Sequence, residues 1–240
     1  MSEEQIQKGT LYIVPTPIGN LEDITLRALN ILKGVDAVAA EDTRTTKFLL
    51  DHYNIQKPLI SFFSHNEQIR VPQIIERLKS NQSIAIVSDA GTPGISDPAY
   101  SIITAAIENA ITIIPLPGPT AFIPALVASG LPTHEFVFLG FLPHKKGRKT
   151  KLEKMKLEER TIVLYESPHR ILRTLEEILE TVGDRTAVIG RELTKKFEEI
   201  RRGKISEHLA HFTAVLPKGE FVLIISGSNS DTIKKKNFDP

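Results

Sequence analysis

Short apolar runs rich in β-branched residues alternate with helical patterns along the first half of this chain. Five such runs are predicted to be strands: 11–14, 37–40, 59–63, 83–87 and 111–115. The helical patterns between the first strands cover 26–32, 45–53 and 74–78. Strands that are apolar throughout and separated by single helices are typical of a mainly parallel sheet covered on both faces. The sequence therefore predicts an α/β fold.

A stiff segment then divides the chain. Residues 115–119 read Pro-Leu-Pro-Gly-Pro, which is too poor in amide donors to belong to a helix or a strand. Beyond it, strands are predicted at 136–141, 161–165, 186–189 and 221–226. We therefore expect two α/β domains, 1–116 and 117–230, followed by a tail or linker at 231–240 that contains three consecutive lysines.

The second domain contains one clearly delimited helical pattern. Ser167 is placed to cap it, Pro168 to be its first residue and Gly183 to end it. Four apolar side chains recur on one face, with Leu172 and Leu179 beside them: Ile171, Leu175, Ile178 and Val182. This helix is expected to be a packing element.

Charge balance and the lack of cysteine exclude several classes of protein. The 240 residues have a formal net charge of +1, so no overall charge demands nucleic acid. With no cysteine, neither a disulfide framework nor cysteine nucleophile chemistry is possible. The amino terminus is polar, and prolines interrupt the uncharged stretch 109–134. We expect a cytoplasmic protein without a membrane span.

Several familiar catalytic motifs are missing. The sequence contains no Gly-x-Gly tripeptide, no G-x-x-x-x-G-K-[ST] loop for a nucleotide phosphate and no G-x-S-x-G elbow. His208 and His211 are three residues apart on a predicted helix, but no third ligand is nearby, so we expect no metal site. A dehydrogenase or a nucleoside triphosphatase is not expected.

Polar or glycine-proline segments follow each strand predicted in the first domain. The most informative is 88–98, which follows a buried strand and ends with Asp97 and Pro98 as a helix start. The others are 15–23, 41–44, 64–67 and 117–121. Because ligands in open α/β sheets bind beyond the carboxyl ends of the strands, these five loops predict a site.

These loops resemble the tetrapyrrole-methylase superfamily, whose members are S-adenosylmethionine-dependent methyltransferases without the usual glycine-rich fingerprint. The resemblance covers essentially the whole chain. Its blocks are most similar to methyltransferases of a cytidine 2′-oxygen in 16S ribosomal RNA: Thr-Pro-Ile-Gly-Asn-Leu-Glu-Asp, Glu-Asp-Thr-Arg, Ser-His-Asn-Glu, Ser-Asp-Ala-Gly-Thr-Pro-Gly-Ile-Ser-Asp-Pro and Tyr-Glu-Ser-Pro-His-Arg. Porphyrinoid methylases usually have Gly-x-Gly-Pro-Gly-Asp in the first loop, where this chain has Pro-Thr-Pro-Ile-Gly-Asn. Ribosomal members often continue into a small helical module.

The resemblance implies that S-adenosylmethionine binds in a cleft between the two domains. Transferred residue by residue, the donor contacts are Pro17, Asp89, Thr92, Ile95, Ala121 and Leu142. Asp89 also has a reason of its own, since a carboxylate beyond a buried strand favours a hydroxyl or ammonium partner. Methyl transfer to a ribose hydroxyl needs the two reactants held in line and a group that takes the hydroxyl proton, but no metal.

Four loop carboxylates are candidate proton acceptors: Glu41, Glu67, Glu166 and Glu192. We favour Glu192 and Glu67, with Lys195 as a further candidate if burial or a cationic neighbour lowers its pKa. For Glu192 and Glu67, a salt bridge with a nearby arginine such as Arg191 or Arg70 is the structural alternative. Arg44 and Asn66 are expected to orient the substrate, because their loops give a hydrogen-bonding side chain no packing role.

Two basic segments predict a local RNA-binding surface. Between residues 145 and 156 there are seven Lys or Arg and one Glu, and a second cluster lies at 195–204. Lys145 and Lys146 are the candidate phosphate contacts, and a solvated helix face is the alternative. Three aromatic side chains near the loops are candidates for stacking on a base, although the first two end an apolar strand and are expected in the core: Phe62, Phe63 and Tyr165.

Two other functions remain open at this stage. A tetrapyrrole methyltransferase of the precorrin type would share the fold and donor site but would not need the lysine clusters. A non-catalytic RNA-binding protein would use those clusters but not the loops around Asp89 and Ala121. The resemblance also implies a homodimer and the small ribosomal subunit as partner.

Overall fold

The computed structural model describes residues 5–97 and 99–228, which fold as two compact units. The first unit ends at Thr120 and the second begins at Ala121, a few residues beyond the boundary expected at 116. Pro98 and the predicted tail at 231–240 lie outside the described residues. Within the described ranges, no helix has the length and apolar character needed to cross a membrane.

The first unit contains a five-stranded sheet in which every neighbouring pair is parallel. Its strands are β1 (Thr10–Ile13), β2 (Ala37–Ala40), β3 (Leu59–Ser61), β4 (Ile84–Val87) and β5 (Thr112–Pro115). They are arranged in the order β3-β2-β4-β1-β5. Each strand coincides with a predicted apolar run to within about two residues, and the predicted parallel sheet is confirmed.

Helices of the first unit are α1 (Leu26–Gly34), α2 (Thr43–His52), α3 (Glu67–Lys79) and α4 (Ala99–Glu108). The hydroxyl of Thr25 accepts a hydrogen bond from the amide of Ala28, and the carboxylate of Asp42 accepts one from the amide of Arg44, so both helices begin at capping side chains. Successive residues of β1 enter two separate apolar cores, with Tyr12 in one and Leu11 in the other. The sheet is therefore covered on both faces.

The second unit contains a mixed sheet. Its strands are β6 (Phe136–Phe141), β7 (Thr161–Glu166), β8 (Thr186–Arg191), β9 (Glu199–Lys204) and β10 (Phe221–Ile225), in the order β6-β7-β10-β8-β9. β6 and β7 pair in parallel, whereas β10 is antiparallel to both of its neighbours and β9 is antiparallel to β8. The sequence did not predict β9, because Glu-Ile-Arg-Arg-Gly-Lys is largely charged. Such a composition is tolerated at the edge of a sheet.

Helices of the second unit are α5 (Phe122–Ser129), α6 (Arg148–Leu157), α7 (Ile171–Thr181) and α8 (Ile205–Ala214). The predicted apolar face of α7 is confirmed, since Ile171, Leu175 and Ile178 are fully buried in the core. The predicted start at Ser167 is wrong. Arg170 has a φ of −124°, outside the helical range, so residues 167–170 form a turn before the helix begins.

His208 is buried between α8 and β8. Its Nε2 atom lies 3.1 Å from the carbonyl oxygen of Ala187, and its Nδ1 atom has no hydrogen-bond partner among the described residues. Burial is the largest cause that lowers the pKa of His208 below its ordinary value of 6.5. The folded state therefore holds this ring in the neutral form.

We expect the free energy of unfolding to fall as the pH drops below about 6.5. In that range His208 binds a proton in the unfolded chain, while burial keeps it neutral in the folded chain. The slope from one such group approaches about 1.4 kcal/mol per pH unit. His208→Gln, which retains a donor for the Ala187 carbonyl, should remove this part of the pH dependence. Denaturant unfolding between about pH 5 and 8 measures it, with the exposed His134→Gln as control. An unaltered slope in His208→Gln would contradict the assignment.

Candidate functional site

Loops at the carboxyl edge of the first sheet are joined by hydrogen bonds. The amides and carbonyls of Thr16 and Gly91 exchange two bonds of 2.9 Å. The buried hydroxyl of Thr16 donates a third bond of 3.0 Å to the carbonyl oxygen of Ser88. The loops after β1 and β4 therefore form one connected structure.

Two more loops are attached to this structure. The hydroxyl of Thr92 donates to the carbonyl oxygen of Pro119 at 2.9 Å, which fixes the loop after β5. A Cβ atom added at Gly118 would lie 2.5 Å from Cβ of Pro15, so only glycine permits this close approach. The amide of Asp42 donates to Oδ1 of Asp89 at 2.9 Å, which fixes the loop after β2. Four of the five predicted loops are thus held in place by one another.

Pro17 and Asp89, two predicted donor contacts, line one small cavity of about 80 Å³. Ser88 and the ring of Phe48 from α2 also line it. Thr92 lies further along the same loop with its hydroxyl engaged by Pro119, and Ile95 follows it with 37% of its surface exposed. The first unit therefore brings Pro17 and Asp89 together, with Thr92 and Ile95 on the adjoining loop.

Glu41, at the end of β2, is distinguished by its surroundings. It is half-buried, and its pKa is raised first by burial and then by the negative charges of Asp89 and Asp97. A hydrogen bond from the amide of Asp89 offsets part of this rise. The sequence placed Glu41 among four loop carboxylates, but it gave no reason to separate it from the others, because its like-charged neighbours come from another loop.

Arg44 and Asn66 both have partners inside their own loops. Arg44 forms a two-pronged pair with Asp42, at 3.0 and 2.6 Å, and these hydrogen bonds lower the pKa of Asp42 to about 2. Asn66 donates to the carbonyl of Ser61 and accepts from the amide of Phe63, which closes the turn after β3. Glu67 follows as the first residue of α3 and is half-buried.

In the second unit, the ends of β6, β7 and β8 share one edge of the sheet with the beginnings of β9 and β10. We call this the loop edge. Leu142 is buried directly after β6, and Lys145 and Lys146 are exposed a few residues later. Both predicted phosphate contacts therefore lie at this edge.

Ala121 is the residue before α5, and its amide, with that of Phe122, is hydrogen-bonded to the hydroxyl of Tyr165 at the end of β7. The Tyr165 ring packs edge-on against Phe138 at 5.1 Å. Tyr165 is therefore a packing residue of the second unit. Phe62 is buried in the core of the first unit, as expected, whereas Phe63 is 36% exposed.

A buried ionic network lies behind the segment 142–147. The guanidinium of Arg148, which is only 4% exposed, donates to Glu177, to the hydroxyl of Thr174 and to the carbonyl of Pro143. The Thr174 hydroxyl donates in turn to Glu166, at 2.7 Å. Arg148 was counted among the seven cations of the basic segment. Arg148 is therefore removed from the predicted RNA-binding surface, because its guanidinium is buried and paired inside the unit.

Arg170 extends this network to the segment on its other side. Its Nε lies 3.3 Å from the buried carboxylate of Glu166, and another of its nitrogens donates to the carbonyl oxygen of Leu142 at 2.5 Å. Glu166, which the sequence listed among the candidate proton acceptors, is therefore paired inside the unit. The backbone of Leu142 and Pro143, just before the two exposed lysines, is fixed by Arg148 and Arg170.

Glu192 and Lys195 form an ion pair at the loop edge. The ammonium of Lys195 lies 3.0 Å from Oε1 of Glu192 and 2.8 Å from Oε2 of Glu220. Burial alone would raise the pKa of Glu192, but hydrogen bonds from the Glu220 amide and Lys195 outweigh it and lower that pKa. For Lys195, burial acts to lower the pKa, but the two carboxylates outweigh it and raise it. The condition that we attached to Lys195 as a proton acceptor is therefore not met.

A cavity of 660 Å³ opens at the opposite edge of the second sheet, beside His134, Glu158 and Arg160. None of the predicted site residues lines it. Within residues 5–97 and 99–228, no three His, Asp or Glu side chains converge as metal ligands would.

The family model described as Tetrapyrrole (Corrin/Porphyrin) Methylases matches residues 10–208. A Thermotoga maritima protein named Ribosomal RNA small subunit methyltransferase I is 49% identical over 91% of this chain and 99% of its own length. The protein of the same name from Halalkalibacterium halodurans is 48% identical over 94% of this chain and 78% of its own length.

Solved structures share the fold at low sequence identity. Uroporphyrin-III-C-methyltransferase from Thermus thermophilus has a TM-score of 0.64 and 20% identity, covering 95% of this chain and 98% of its own. A diphthine synthase has a TM-score of 0.69 and 13% identity, covering 90% of both chains. These structures therefore show that proteins with different names share this α/β fold.

The ionic network yields a matched pair of variants, because Arg148 and Arg173 both bind Glu177 while one side chain is 5% exposed and the other 60%. We expect Arg148→Met to lower the free energy of unfolding by about 1–3 kcal/mol, since it removes the buried donor from Glu177, from the Thr174 hydroxyl and from the carbonyl of Pro143. Arg173→Met should cost less than about 1 kcal/mol. Denaturant unfolding measures both, and amide hydrogen exchange should show faster exchange at 142–147 in Arg148→Met alone. Equal losses of stability would contradict the assigned network.

Proposed function

The chain belongs to the tetrapyrrole methylase family, and from this membership we propose that it is an S-adenosylmethionine-dependent methyltransferase of small-subunit ribosomal RNA. The observation that carries the proposal is identity of 48–49% to proteins with that name over more than nine-tenths of this chain. The exposed lysines at the loop edge support it, because a phosphate backbone needs local positive charge. The acceptor atom in this proposal is the 2′-oxygen of a cytidine.

The donor residues proposed in the first unit fit the chemistry of S-adenosylmethionine. This donor supplies an electrophilic methyl group on a sulfonium and has an ammonium and two hydroxyls that require acceptors. The exposed carboxylate of Asp89 and the apolar wall of Pro17 provide one charged and one apolar contact beside the same cavity. Because the Thr16–Gly91 bonds fix the loop beneath Asp89, its carboxylate is positioned before a ligand binds.

Ala121 and Leu142 are the donor contacts that we propose for the second unit, and both have backbones fixed by hydrogen bonds. The amide of Ala121 is engaged by Tyr165, and the carbonyl of Leu142 by Arg170. Thr92 and Ile95 complete the proposed set from the first unit. The position of the donor between the two units stays a prediction.

For the proton acceptor we propose Glu67 ahead of Glu192. Glu192 has a lowered pKa and is bound to Lys195, so it is a weak base in this arrangement and is better suited to holding the loop. Lys195 then acts as a cation that fixes Glu192 and Glu220. Glu67 stands at the amino end of α3, after the turn closed by Asn66.

Substrate contacts proposed at the RNA side are Lys145, Lys146, Arg44 and Asn66. The lysines are free to meet phosphates, while Arg44 is 90% exposed and presents its charge together with that of Asp42. Asn66 acts through the turn that it closes. We also propose that the protein is a cytoplasmic homodimer, in keeping with the superfamily resemblance, and sedimentation of the purified chain tests the dimer.

The experiment that tests this function is transfer of labelled methyl from S-adenosylmethionine to small ribosomal subunits that lack the modification. Naked 16S RNA and a precorrin serve as parallel acceptors. Label on a cytidine 2′-oxygen of the subunit RNA is the expected result, identified by nuclease digestion and mass spectrometry. Transfer to the precorrin alone would overturn the ribosomal proposal.

Asp89 and the lysine pair should separate donor binding from RNA binding. We expect Asp89→Ala to weaken donor binding about tenfold or more, since a hydrogen bond to a charged group contributes about 1.5–3 kcal/mol. Asp89→Asn retains an acceptor for the Asp42 amide and isolates the role of charge. Unchanged donor affinity in Asp89→Ala would remove that assignment.

Replacing Lys145 and Lys146 by Glu should weaken RNA binding and leave donor affinity unchanged. The control replaces Lys8 and Lys33, at the opposite edge of the first sheet, by Glu.

Glu67→Gln should lower single-turnover methyl transfer about a hundredfold or more while leaving both binding constants unchanged, as expected for loss of a general base. Glu192→Gln should act mainly on RNA affinity, because it loosens the loop that it anchors. The exposed Glu108→Gln, at the end of α4 and away from these loops, is the control. Full turnover in Glu67→Gln would exclude Glu67 as the proton acceptor.

A further inference from the structure

Phe197 is an exposed aromatic ring in a loop whose other exposed side chains are charged. Residues 192–198 connect β8 to β9 at the loop edge, and Phe197 is 68% exposed between the exposed Lys196 and Glu198. A single exposed apolar side chain is common on protein surfaces and requires no explanation by itself. The way in which this loop is held is what distinguishes Phe197.

Side-chain bonds hold the loop at both ends. Oε1 of Glu192 accepts from the amide of Glu220 at 2.9 Å and from Lys195 at 3.0 Å. At the other end, the carboxylate of Glu198 accepts from the amide of Thr194 at 2.5 Å. The backbone amides of Lys195 and Glu198 donate to the carbonyls of Glu192 and Lys195. Exposure of the ring is therefore a property of a fixed loop.

Backbone strain accompanies this rigidity. Glu192 has a φ of 50° and Thr194 a φ of 66°, in the left-handed region that β-branched residues in particular avoid. Gly219 lies against Glu192, and a Cβ atom there would come within 2.3 Å of its side chain. Such strain persists where surrounding contacts over-determine a conformation, and it concentrates at ligand-binding sites.

Charge beside the ring completes the arrangement. The ammonium of Lys196 lies 5.6 Å from the centroid of Phe197, within cation–π range. Lys195 is neutralised by Glu192 and Glu220, so Lys196 supplies the exposed positive charge next to the ring. An aromatic face beside a cation is the arrangement that binds single-stranded nucleic acid, with a base on the ring and a phosphate at the cation.

We propose that Phe197 is a stacking surface for an unpaired nucleobase of the RNA substrate, with Lys196 binding the adjacent phosphate. This proposal rests on the proposed function. Lys145 and Lys146 lie at the same edge, three strand positions from β8 in the sheet order, which is roughly 14 Å at the usual strand spacing. An RNA strand along this edge can therefore meet both points. Stacking on phenylalanine adds affinity with little base preference.

The test is equilibrium binding of an unmodified single-stranded fragment of 16S RNA to the full chain, with donor binding and thermal unfolding measured in parallel. Phe197→Ala should weaken RNA binding about tenfold or more. Phe197→Trp should preserve binding, and Phe197→Leu, which retains apolar volume without a π face, should resemble Phe197→Ala. Leu157→Ala, at the opposite edge and 79% exposed, is the control that should change nothing.

Salt dependence separates the ring from its neighbouring cation. Lys196→Gln should reduce the slope of log affinity against log salt by about one, whereas Phe197→Ala should lower affinity at unchanged slope. Donor affinity and thermal stability should stay at the wild-type values in both variants, because neither side chain belongs to the bonds that hold the loop.

Several outcomes would overturn the proposal. Wild-type RNA affinity in Phe197→Ala excludes stacking. Rescue by Phe197→Leu, or a change in sedimentation of Phe197→Ala, indicates an apolar contact with protein instead of a base. If the wild-type chain binds S-adenosylmethionine but neither binds nor methylates RNA, the proposed function itself is refuted. If Phe197→Ala methylates RNA like the wild type at every RNA concentration, only the stacking role is refuted.

Discussion

Parallel pairing of the strands in the first unit is the constraint on which the candidate site depends. It brings the carboxyl ends of β1 to β5 to one edge, where their loops follow. The strand order matters equally, because β4 lies between β2 and β1. The loop after β4 can therefore bond to Thr16 on one side and to Asp42 on the other. Short polar loops become a rigid platform because each is held by a neighbour from a distant part of the sequence.

In the second unit, antiparallel pairing also brings distant segments together, so that one holds the other in place. Because β10 runs against β8, the segment that enters β10 meets the loop that leaves β8, and Glu220 comes beside Glu192. This juxtaposition gives 192–198 its fixed shape. Further along the same loop edge, beside β6 and β7, the network of Arg148, Glu166 and Arg170 fixes the segment after β6. The exposed lysines at the loop edge therefore lie in segments whose backbone is held by nearby ion pairs.

Sequence reasoning predicted the elements whose signal is local and apolar. The strands of the first unit and the buried face of α7 were visible because each is defined by its own residues. β9 was missed because an edge strand can be charged, and its pairing with β8 supplies what its side chains do not. The burial of Arg148 and the exposure of Phe197 were equally hidden. A buried and an exposed cation look identical in a sequence, and the exposure of a phenylalanine is decided by the distant residues that hold its loop.

Charged neighbours, some in the same loop and some in another, explain why the loop carboxylates differ in chemistry. Asp42 and Glu192 are paired with cations, and the pKa of each is lowered. Glu41 faces Asp89 and Asp97, and its pKa is raised by burial and by these like charges. A ligand with a positive charge at Asp89 would relieve that repulsion and favour ionisation of Glu41. Asp89, Asp97 and Glu41 therefore place negative charge at the edge of the first sheet, where the sulfonium and ammonium of the proposed methyl donor would meet it.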